Sequence, residues 1–537
     1  MQPIEDARKM KLTDEQAEIK EGVSALKPGE NLKVIAFAGA GKTTTLKACA
    51  EGRNDRGIYL AFNSSIAKEA KEKLGHTKCL AKTMHGLAFG VMREYMEAPA
   101  QINARSFMSS QIMSRFHVPD VKGWGDYRIA AAVSSTMSKY AASADSSFST
   151  RHAEAALMEV LGDPDFIVSE EKAEFVRDTI SKLSEPLKLM AFEYWGECME
   201  NQLYSHDMYL KMLDGIPELR ENAFARYKYV MIDEAQDINP VQRSILTKTG
   251  LPLVAVGDPF QQIYSWRGAE NALQQLPGRE LFLTQSFRFG ENIAVVARKI
   301  LDSIPDGGPE KRLEGAGPGE SGSGPKGAVI CRTNIGMLDE AIKYLNKGYK
   351  VHVDNVDGLL TDVRSAQALK EGRLGDVKSA ELKQFDSWDE MEITAEEGSD
   401  PSLSKLVNLV RTNRISDVER LAKAQIPDAN KVHLVVYTAH RSKGLEFDAV
   451  QLGEDWPDIS VMESRFKAAE LKSEKHVTQA RESYNTLYVA ATRAKLRCKG
   501  YGRILEPVPE ATGPMTQEEA LKYTQGMRRG DDTFEPS

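Results

Sequence analysis

Long apolar runs are missing from the sequence. The longest of them falls far short of the roughly 20 residues that a membrane-spanning helix needs. The first residues, MQPIEDARKMKLTDEQ, contain no apolar segment of the kind that a secretory signal requires. We therefore expect a protein that works inside the cell, in the cytoplasm or nucleoid if its source is microbial or viral.

Cysteine is scarce, and the few cysteines are scattered with no CxxC pair. This pattern argues against a zinc site, an iron–sulfur cluster and a disulfide framework. The simplest interpretation is that the cysteines are small buried hydrophobic residues. They are Cys49, Cys79, Cys198, Cys331 and Cys498.

An excess of positive charge is also missing, because the 537 residues carry a formal net charge of −8. A protein that passively coats DNA is usually basic, so this class is disfavoured. An enzyme that grips one strand in a local groove, by stacking and a few phosphate contacts, remains compatible with the charge. At ~150 residues per domain, the length predicts three or four domains.

Short runs rich in β-branched residues alternate with helical patterns. This alternation predicts an α/β fold, with parallel sheets that carry helices on both faces. The predicted strands are Lys33–Ala38, Gly57–Phe62, Tyr229–Ile232, Leu253–Val256 and Lys431–Tyr437.

Four stretches depart from this alternation. Residues 93–205 are helix-like, without a strand pattern, and residues 356–427 are charged and helix-like, so both look like insertions. Ile304–Gly327 is dense in Gly, Pro and Ser and predicts a flexible loop rather than packed structure. The polar tail, 506–537, is expected to be poorly ordered.

A glycine-rich turn, AFAGAGKT, joins the first predicted strand to a helix. It has the form of a phosphate-binding loop, with Ala36 in place of the usual first glycine. Glycines let backbone N–H groups curl around phosphate oxygens, and the helix N-terminus favours their negative charge. Lys42 is expected to reach the β- and γ-phosphates, and Thr43 to bind Mg²⁺. The predicted nucleotide-binding residues here are Ala38, Gly39, Ala40, Gly41, Lys42, Thr43 and Thr44.

Two adjacent carboxylates follow the buried strand pattern of Tyr229–Ile232. The carboxyl end of a parallel strand is where α/β proteins place their chemistry. Asp233 is expected to hold Mg²⁺, directly or through water, and Glu234 to orient and deprotonate the attacking water. A solvated acidic turn is the alternative, and the phosphate-binding loop makes it the weaker one.

Five motifs, in order, resemble those of superfamily-one helicases of the UvrD/Rep type. The match runs from about residue 12 to about residue 500, through Asp233–Asp237, Gly257–Ala269, Gln285–Arg288, Thr438–Phe447 and Leu487–Ala494. Three further segments resemble the helicase core of the F-box DNA helicases and their microbial or viral relatives. They are Ala61–Ala70, Ser205–Lys211 and Glu482–Lys495.

The resemblance implies two RecA-like P-loop domains with parallel sheets, each interrupted by a mostly helical insertion. Their expected limits are 1–92 with 206–280 for the first domain, 93–205 for its insertion, 281–355 with 428–505 for the second domain, and 356–427 for a reduced second insertion. We expect no F-box before residue 12 and no nuclease domain after the last motif. We therefore expect a bare motor.

The resemblance also implies how ATP is held. Gln16 matches the glutamine that reads adenine. Phe287 occupies the position of a tyrosine that stacks on the base, and it keeps the stacking face. Glu446 is at the position that binds ribose.

Three further residues match groups that contact the γ-phosphate. Arg288 and Arg493 match arginine fingers, which elsewhere contribute roughly 10³–10⁵ in rate. Gln261 resembles the sensor of that phosphate. Tyr484 and Asn485 stand where the family usually has basic residues, which puts a minor contact in doubt.

Contacts with single-stranded DNA and with single-strand/duplex junctions are implied in the same way. Phe62, Tyr264 and Trp266 are the aromatic candidates for base stacking, although Trp266 alone would suggest a core residue. The other candidates match positions near the DNA backbone or bases. For the two histidines among them, a structural role is as frequent as a DNA contact. They are Asn63, Thr83, His85, Arg267 and His440.

The predicted function is that of an ATP-dependent DNA helicase or translocase, which couples Mg-ATP hydrolysis to 3′→5′ movement and separates duplex. Two alternatives stay open. One is a single-strand translocase that mainly strips bound proteins, and the other is a non-motor ATPase switch in a larger complex. The aromatic candidates argue against the switch.

Overall fold

The computed structural model describes most of the chain. The described residues are 11–95, 101–103, 112, 126–161, 170–264, 271–319, 327–379, 382–385, 387–397, 401–432, 434–472 and 474–505. None of the helices within these ranges is long and apolar enough to cross a membrane. The first of two compact units lies within Met1–Tyr95, Tyr209–Phe287 and Lys311–Glu314, and the second within Met96–Met208, Arg288–Glu310 and Gly315–Ser537.

The strands are numbered here in chain order. They are β1 (Asn31–Ala36), β2 (Gly57–Ala61), β3 (Cys79–Thr83), β4 (Gln101–Asn103), β5 (Leu203–Ser205), β6 (Tyr229–Ile232), β7 (Leu253–Gly257), β8 (Arg279–Leu283), β9 (Gln285–Ser286), β10 (Glu314–Gly315), β11 (Gly327–Cys331), β12 (Val351–Val353), β13 (Leu434–Thr438), β14 (Phe447–Leu452) and β15 (Ala494–Lys499).

The helices are identified by their bounds. The α-helices are Asp14–Ala25, Lys42–Glu51, Ser64–Leu74, Met84–Tyr95, Asp126–Ala142, Thr150–Leu161, Glu170–Glu200, His206–Gly215, Pro217–Phe224, Pro240–Lys248, Ala272–Gln275, Glu291–Asp302, Asn334–Asn346, Val356–Lys370, Trp388–Glu397, Pro401–Arg411, Ile415–Ala424, Ala439–Ser442, Ile459–Glu470, Glu474–Ala491 and Gly502–Leu505. Short 3₁₀ helices are Ala235–Asp237, Pro259–Gln261, Leu374–Asp376, Leu382–Gln384 and Ala429–Lys431.

The first unit contains a six-stranded sheet in the order β3-β2-β6-β7-β1-β8. All of its strand pairs are parallel. Every residue of the central strands β2, β6 and β7 is buried, as expected for a sheet covered on both faces. Because the strands are parallel, β1, β6 and β7 end at the same edge, where polar side chains gather.

The second unit contains a five-stranded sheet in the order β12-β13-β11-β14-β15. Its pairs are also parallel. Val329 on β11 and Val436 on β13 share one core with helices of the 356–427 stretch, through Val363 and Leu421. The predicted α/β class with parallel sheets is thus confirmed in both units.

The stretch predicted to be a helical insertion at 93–205 contains, among its described residues, three long helices that pack together, Asp126–Ala142, Thr150–Leu161 and Glu170–Glu200. It also contains two strands, β4 and β5, which pair in parallel. The sequence showed no strand pattern there because each strand has only three residues, which is too short for a visible alternation.

Several expectations need correction. The loop predicted at Ile304–Gly327 is partly packed, since Leu313 within it is fully buried and Gly327 begins β11. The edge strands β3 and β8 were missed because neither has a continuous apolar run. Buried or half-buried residues alternate with exposed ones in β3, and β8 begins with two exposed charged residues. Four cysteines are buried as expected, and Cys498 is partly exposed. The tail at 506–537 lies outside the described residues.

Candidate nucleotide and DNA site

The phosphate-binding loop lies between β1 and the helix Lys42–Glu51. Gly39 and Gly41 adopt φ angles of 73° and 78°, a left-handed conformation that favours glycine. Gly41 is the N-cap of the helix, and Lys42 is its first residue. The unpaired N–H groups of that first turn make it a ready site for a phosphate anion.

Lys42 and Glu234 form an ion pair across this loop. The Lys42 Nζ lies 3.0 Å from the Glu234 Oε2, and both side chains are largely buried. Burial by itself lowers the pKa of Lys42, but the carboxylates of Glu234, Asp233 and Asp258 raise it, and the net result lies above the usual value. The ammonium therefore stays charged and can exchange its carboxylate partner for a phosphate.

Asp233 stands at the end of β6 with both carboxylate oxygens held. Its Oδ1 accepts a hydrogen bond from the Glu234 amide at 2.9 Å, and its Oδ2 accepts one from the Tyr59 hydroxyl at 2.6 Å. Burial and the charge of Glu234 raise the pKa of Asp233, while Lys42 and Tyr59 oppose the rise. The carboxylate and the Thr43 hydroxyl are oxygen donors of the type that Mg²⁺ prefers.

Glu234 has an unusual backbone conformation. Its φ of 53° is left-handed, which costs a non-glycine residue of order 1–3 kcal/mol, and strained conformations of this kind cluster at functional sites. The strain turns the chain sharply after β6, directly into the 3₁₀ helix Ala235–Asp237. The Glu234 side chain consequently lies beside Lys42.

A hydrogen-bonded chain leads from Glu234 to Gln261. The Gln236 Nε2 donates to the Glu234 Oε2 at 2.7 Å, and the Gln236 Oε1 accepts from the Asp258 amide at 3.1 Å. The Gln261 Nε2 donates to the Asp258 Oδ2 at 2.7 Å. Gly257 makes room for this chain, since a Cβ there would lie 2.2 Å from the Gln236 Oε1.

Gln16 and Phe287 both lie against the phosphate-binding loop. A Cβ added to Gly41 would be 3.1 Å from the Gln16 Nε2 and 3.7 Å from the Phe287 Cδ2. The Phe287 amide donates to the Gly39 carbonyl at 2.9 Å, and its ring is 44% exposed, which leaves a face open for stacking. Gln16 also forms a capping box with Thr13, so a helix cap alone accounts for part of its position.

Arg288, Glu446 and Arg493 come together in the second unit. The Arg288 Nε donates to the Glu446 Oε1 at 2.8 Å, and its Nη1 donates to the Thr492 carbonyl at 3.0 Å. Arg493 is only 2% exposed, and its Nε donates to the Val489 carbonyl at 2.9 Å. The two arginines predicted to be fingers are therefore neighbours, each oriented by backbone carbonyls.

Among the aromatic DNA candidates, Phe62 and Tyr264 are stacked, with ring centroids 5.8 Å apart and planes 19° apart. Phe62 is 38% exposed, which is high for so large an apolar side chain at the end of a central strand. Trp266 and Arg267 lie outside the described residues. Of the two aromatic candidates in the third motif, Tyr264 therefore lies next to Phe62.

The remaining DNA candidates have structural contacts of their own. Asn63 caps the helix Ser64–Leu74 by accepting from the Ile66 amide at 2.9 Å. Thr83 accepts from the Gly86 amide at 2.9 Å. The His85 ring lies edge-on to Tyr209 at 6.2 Å. His440 belongs to the short helix Ala439–Ser442 of the second unit.

Comparison with known proteins shows the family. The chain matches the sequence profile of the UvrD/REP helicase N-terminal domain over residues 16–276 and that of the UvrD-like helicase C-terminal domain over residues 165–498. The second match covers more than half of the chain. The chain belongs to the UvrD-like helicases. The two parallel α/β sheets are accordingly those of RecA-like domains.

Three relatives illustrate the range of this UvrD-like family. The chain is 28% identical over 90% of its length to F-box DNA helicase 1 of Gallus gallus, and covers 48% of it. It is 29% identical over 92% of its length to F-box DNA helicase protein 1 of Schizosaccharomyces pombe, and covers 58% of it. It is 24% identical over 51% of its length to DNA helicase IV of Escherichia coli. The chain spans about half the length of these relatives.

Three polar residues of this UvrD-like site were not predicted to act there, namely Tyr59, Gln236 and Asp258. Gln236 and Asp258 stand within recognised motifs and are bonded to each other, yet they are 22 residues apart along the chain. The signal that could have found them is the parallel pairing of β6 and β7, which brings the ends of both strands to one edge. Tyr59 could have been found through the pairing of β2 and β6.

Proposed function

We propose that this UvrD-like chain is an ATP-dependent DNA helicase, which moves 3′→5′ on single-stranded DNA and separates duplex at single-strand/duplex junctions. The observation that carries the proposal is the continuous path from Lys42 through Glu234, Gln236 and Asp258 to Gln261. The chain continues from Gln261 to Tyr264, whose ring stacks on Phe62. ATP chemistry and a base-stacking surface thus share one short segment.

The residues of the first unit have the properties that hydrolysis requires. Thr43 and Asp233 would hold Mg²⁺, which neutralises charge on the phosphates. Lys42, charged and paired with Glu234, exchanges this partner for phosphate oxygens when ATP binds. Glu234 is then available to accept a proton from the attacking water. Gln16 and Phe287 beside the loop are suited to hold the adenine.

The second unit carries three residues to which the resemblance assigns a role in the proposed chemistry. In the family, the positions of Arg288 and Arg493 contact the γ-phosphate, where a guanidinium stabilises the charge that develops on the transferred group. Glu446 at the ribose position already holds Arg288. We propose that Gln261 senses the same phosphate and passes its state to the DNA-binding segment.

The proposed grip on DNA is by stacking and by contacts to the backbone. Each base–aromatic stack is typically worth ~1–3 kcal/mol and tolerates any sequence. Phe62, Tyr264 and Trp266 would supply the stacks. The polar candidates would contact the DNA backbone or bases; they are Asn63, Thr83, His85, Arg267 and His440. The 3′→5′ direction rests on the type of the motifs, and the relatives' own names describe them as DNA helicases. The helical stretches at 93–205 and 356–427 are proposed to be the two insertions. The second is reduced relative to that of UvrD, where it is regulatory, so we propose that regulation differs here.

The polarity is tested by unwinding of 3′-tailed, 5′-tailed and blunt duplexes with ATP and Mg²⁺. We expect strand separation from the 3′-tailed duplex, because the motor loads on that single strand and runs into the junction. Unwinding from the 5′ tail alone would reverse the assigned direction. Translocation without strand separation would favour a translocase that strips proteins, and the absence of DNA-stimulated ATP hydrolysis would favour a non-motor switch.

Coupling is tested by Trp266→Ala, which removes an aromatic face and leaves the ATP site whole. Basal ATP hydrolysis should persist. Unwinding should fall further than hydrolysis, because some cycles of ATP hydrolysis no longer advance the DNA strand. Affinity for single strands should drop by about 1–3 kcal/mol at most, and its salt dependence should stay nearly constant because no phosphate contact is deleted. The measurement is ATP consumed per base pair unwound.

A matched control for that experiment is Trp388→Ala, because Trp388 hydrogen-bonds Glu392 in the second unit and has no proposed DNA contact. The control should leave the ATP consumed per base pair unchanged. An unchanged ratio in Trp266→Ala, with normal unwinding, would show that Trp266 is a packed core residue.

A further inference from the structure

In the described part of the chain, the Asp233 carboxylate accepts two hydrogen bonds, one from the neighbouring Glu234 amide and one from the Tyr59 side chain on another strand. Tyr59 lies in the middle of β2, next to β6, and is fully buried. Its hydroxyl donates to the Asp233 Oδ2 at 2.6 Å. A short hydrogen bond from a hydroxyl to a carboxylate is of the strong, charge-assisted type.

β2 holds Asp233 at two points. The Asp233 amide donates to the Leu60 carbonyl at 3.2 Å, which fixes the backbone, and the Tyr59 hydroxyl fixes the carboxylate. The Asp233 Oδ1 is occupied by the Glu234 amide. Each carboxylate oxygen therefore has one protein donor, and since two oxygens offer about four acceptor positions, lone pairs on both remain for a cation.

We propose that Tyr59 is a positioning residue for the magnesium-binding carboxylate of Asp233. The inference rests on the proposed function, in which Asp233 holds the Mg²⁺ of Mg-ATP. Tyr59 acts through Asp233 and touches neither nucleotide nor metal. It holds the carboxylate in one orientation, so that binding the cation does not require the side chain to be ordered first.

The same hydrogen bond could merely satisfy a buried hydroxyl. In that case a phenylalanine would serve as well, and metal affinity would not depend on the hydroxyl. In metal sites generally, removing a group that orients a ligand costs about 10- to 100-fold in metal affinity. Metal affinity is therefore the property that separates positioning from packing.

The test is Tyr59→Phe, which deletes the hydroxyl and keeps the ring. The full-length chain is titrated with Mn²⁺ in the presence of a non-hydrolysable ATP analogue, and bound Mn²⁺ is counted by electron paramagnetic resonance. We expect Mn²⁺ affinity to fall by about 10- to 100-fold, while affinity for the analogue without metal stays the same. In steady-state assays, the Mg²⁺ concentration for half-maximal turnover should rise, and saturating Mg²⁺ should largely restore the rate.

The matched control is Tyr229→Phe. Tyr229 is also buried, stands on the neighbouring strand β6, and has its hydroxyl beside the Cys79 thiol rather than a carboxylate. This variant should bind Mn²⁺ like the wild type. Thermal unfolding of both variants shows whether the sheet is intact.

Three outcomes would overturn the inference. Wild-type Mn²⁺ affinity in Tyr59→Phe would show that the hydroxyl only satisfies its own burial. Equal losses in Tyr59→Phe and Tyr229→Phe would assign the effect to sheet packing. A wild type that binds the analogue but no Mn²⁺ with it would overturn the proposed role of Asp233 itself, and this result is distinct because it needs no variant.

Discussion

Glu234→Gln is expected to bind ATP and fail to turn it over. Glutamine has nearly the same shape and keeps a side-chain oxygen that can accept the Gln236 hydrogen bond, which spans 2.7 Å in the native chain. It loses the negative charge and the capacity to take a proton from water. A general base typically contributes about 10²–10⁴ in rate, so single-turnover hydrolysis should fall by that factor, while binding of a fluorescent ATP analogue remains.

Lys42→Ala extends the same experiment to the phosphate. Removing the ammonium should abolish hydrolysis, because the phosphates lose their main cationic partner and Glu234 loses the counter-charge 3.0 Å away. Lys47→Ala is the matched control, since Lys47 lies on the same helix and pairs with Glu51 at the surface. Hydrolysis at the wild-type rate in Glu234→Gln would show that another group is the base.

The parts of this site that could be predicted from sequence are those written in consecutive residues. The loop from Ala36 to Thr43 and the Asp233–Glu234 pair each consist of neighbours along the chain, and their position after a strand follows from the apolar run before them. Their chemistry could thus be proposed from the sequence. The structure adds that Lys42 and Glu234 face each other.

The parts that could not be predicted depend on residues distant in sequence. Tyr59 and Asp233 are 174 positions apart and meet only because β2 and β6 are neighbours in the sheet. The left-handed turn at Glu234 could not be predicted either, because a non-glycine residue gives no local sign of a positive φ. Strand order, rather than residue pattern, decides which polar side chains share an edge.

The fold shows the same division. The buried strand β6 was predicted with its limits, because its complete burial produces an unbroken apolar run, whereas the equally buried β11 was not predicted. Edge strands such as β15, where half-buried charged residues alternate with apolar ones, have no continuous apolar run and were missed. Leu313 was assigned to a loop because glycine and proline surround it, yet its burial depends on distant residues.

Arg288→Ala and Arg493→Ala are each expected to reduce DNA-stimulated ATP turnover by orders of magnitude. Guanidinium groups that stabilise the transferred phosphoryl group contribute about 10³–10⁵ in rate elsewhere. DNA binding without nucleotide should change little, since neither side chain is proposed to touch DNA. The measurements are steady-state hydrolysis with saturating single-stranded DNA, and DNA affinity by fluorescence anisotropy without nucleotide.

The two arginines differ in how cleanly they can be removed. Arg493 is 2% exposed, and its Nε donates to the Val489 carbonyl, which also accepts from the Thr492 hydroxyl at 3.2 Å. Its truncation therefore deletes a buried hydrogen bond worth about 1 kcal/mol but leaves that carbonyl with a partner. Arg493→Lys keeps the charge but lacks the planar fork that matches phosphate, and it should lose most of the turnover while remaining folded. Arg288 pairs with Glu446, whose side chain is already 45% exposed, so truncation of Arg288 leaves no buried unpaired charge.

Arg364→Ala is the matched control for both variants, because Arg364 forms an exposed ion pair with Glu419 in the same unit. Exposed pairs of this kind contribute about 0–1 kcal/mol, so turnover and DNA affinity should both match the wild type. Parallel losses of turnover and nucleotide-free DNA binding in Arg288→Ala would instead place Arg288 in the DNA groove. Lysine cannot make the bidentate contact that an arginine finger makes with the transferred phosphoryl group. Full turnover in Arg493→Lys would therefore show that position 493 supplies only a positive charge.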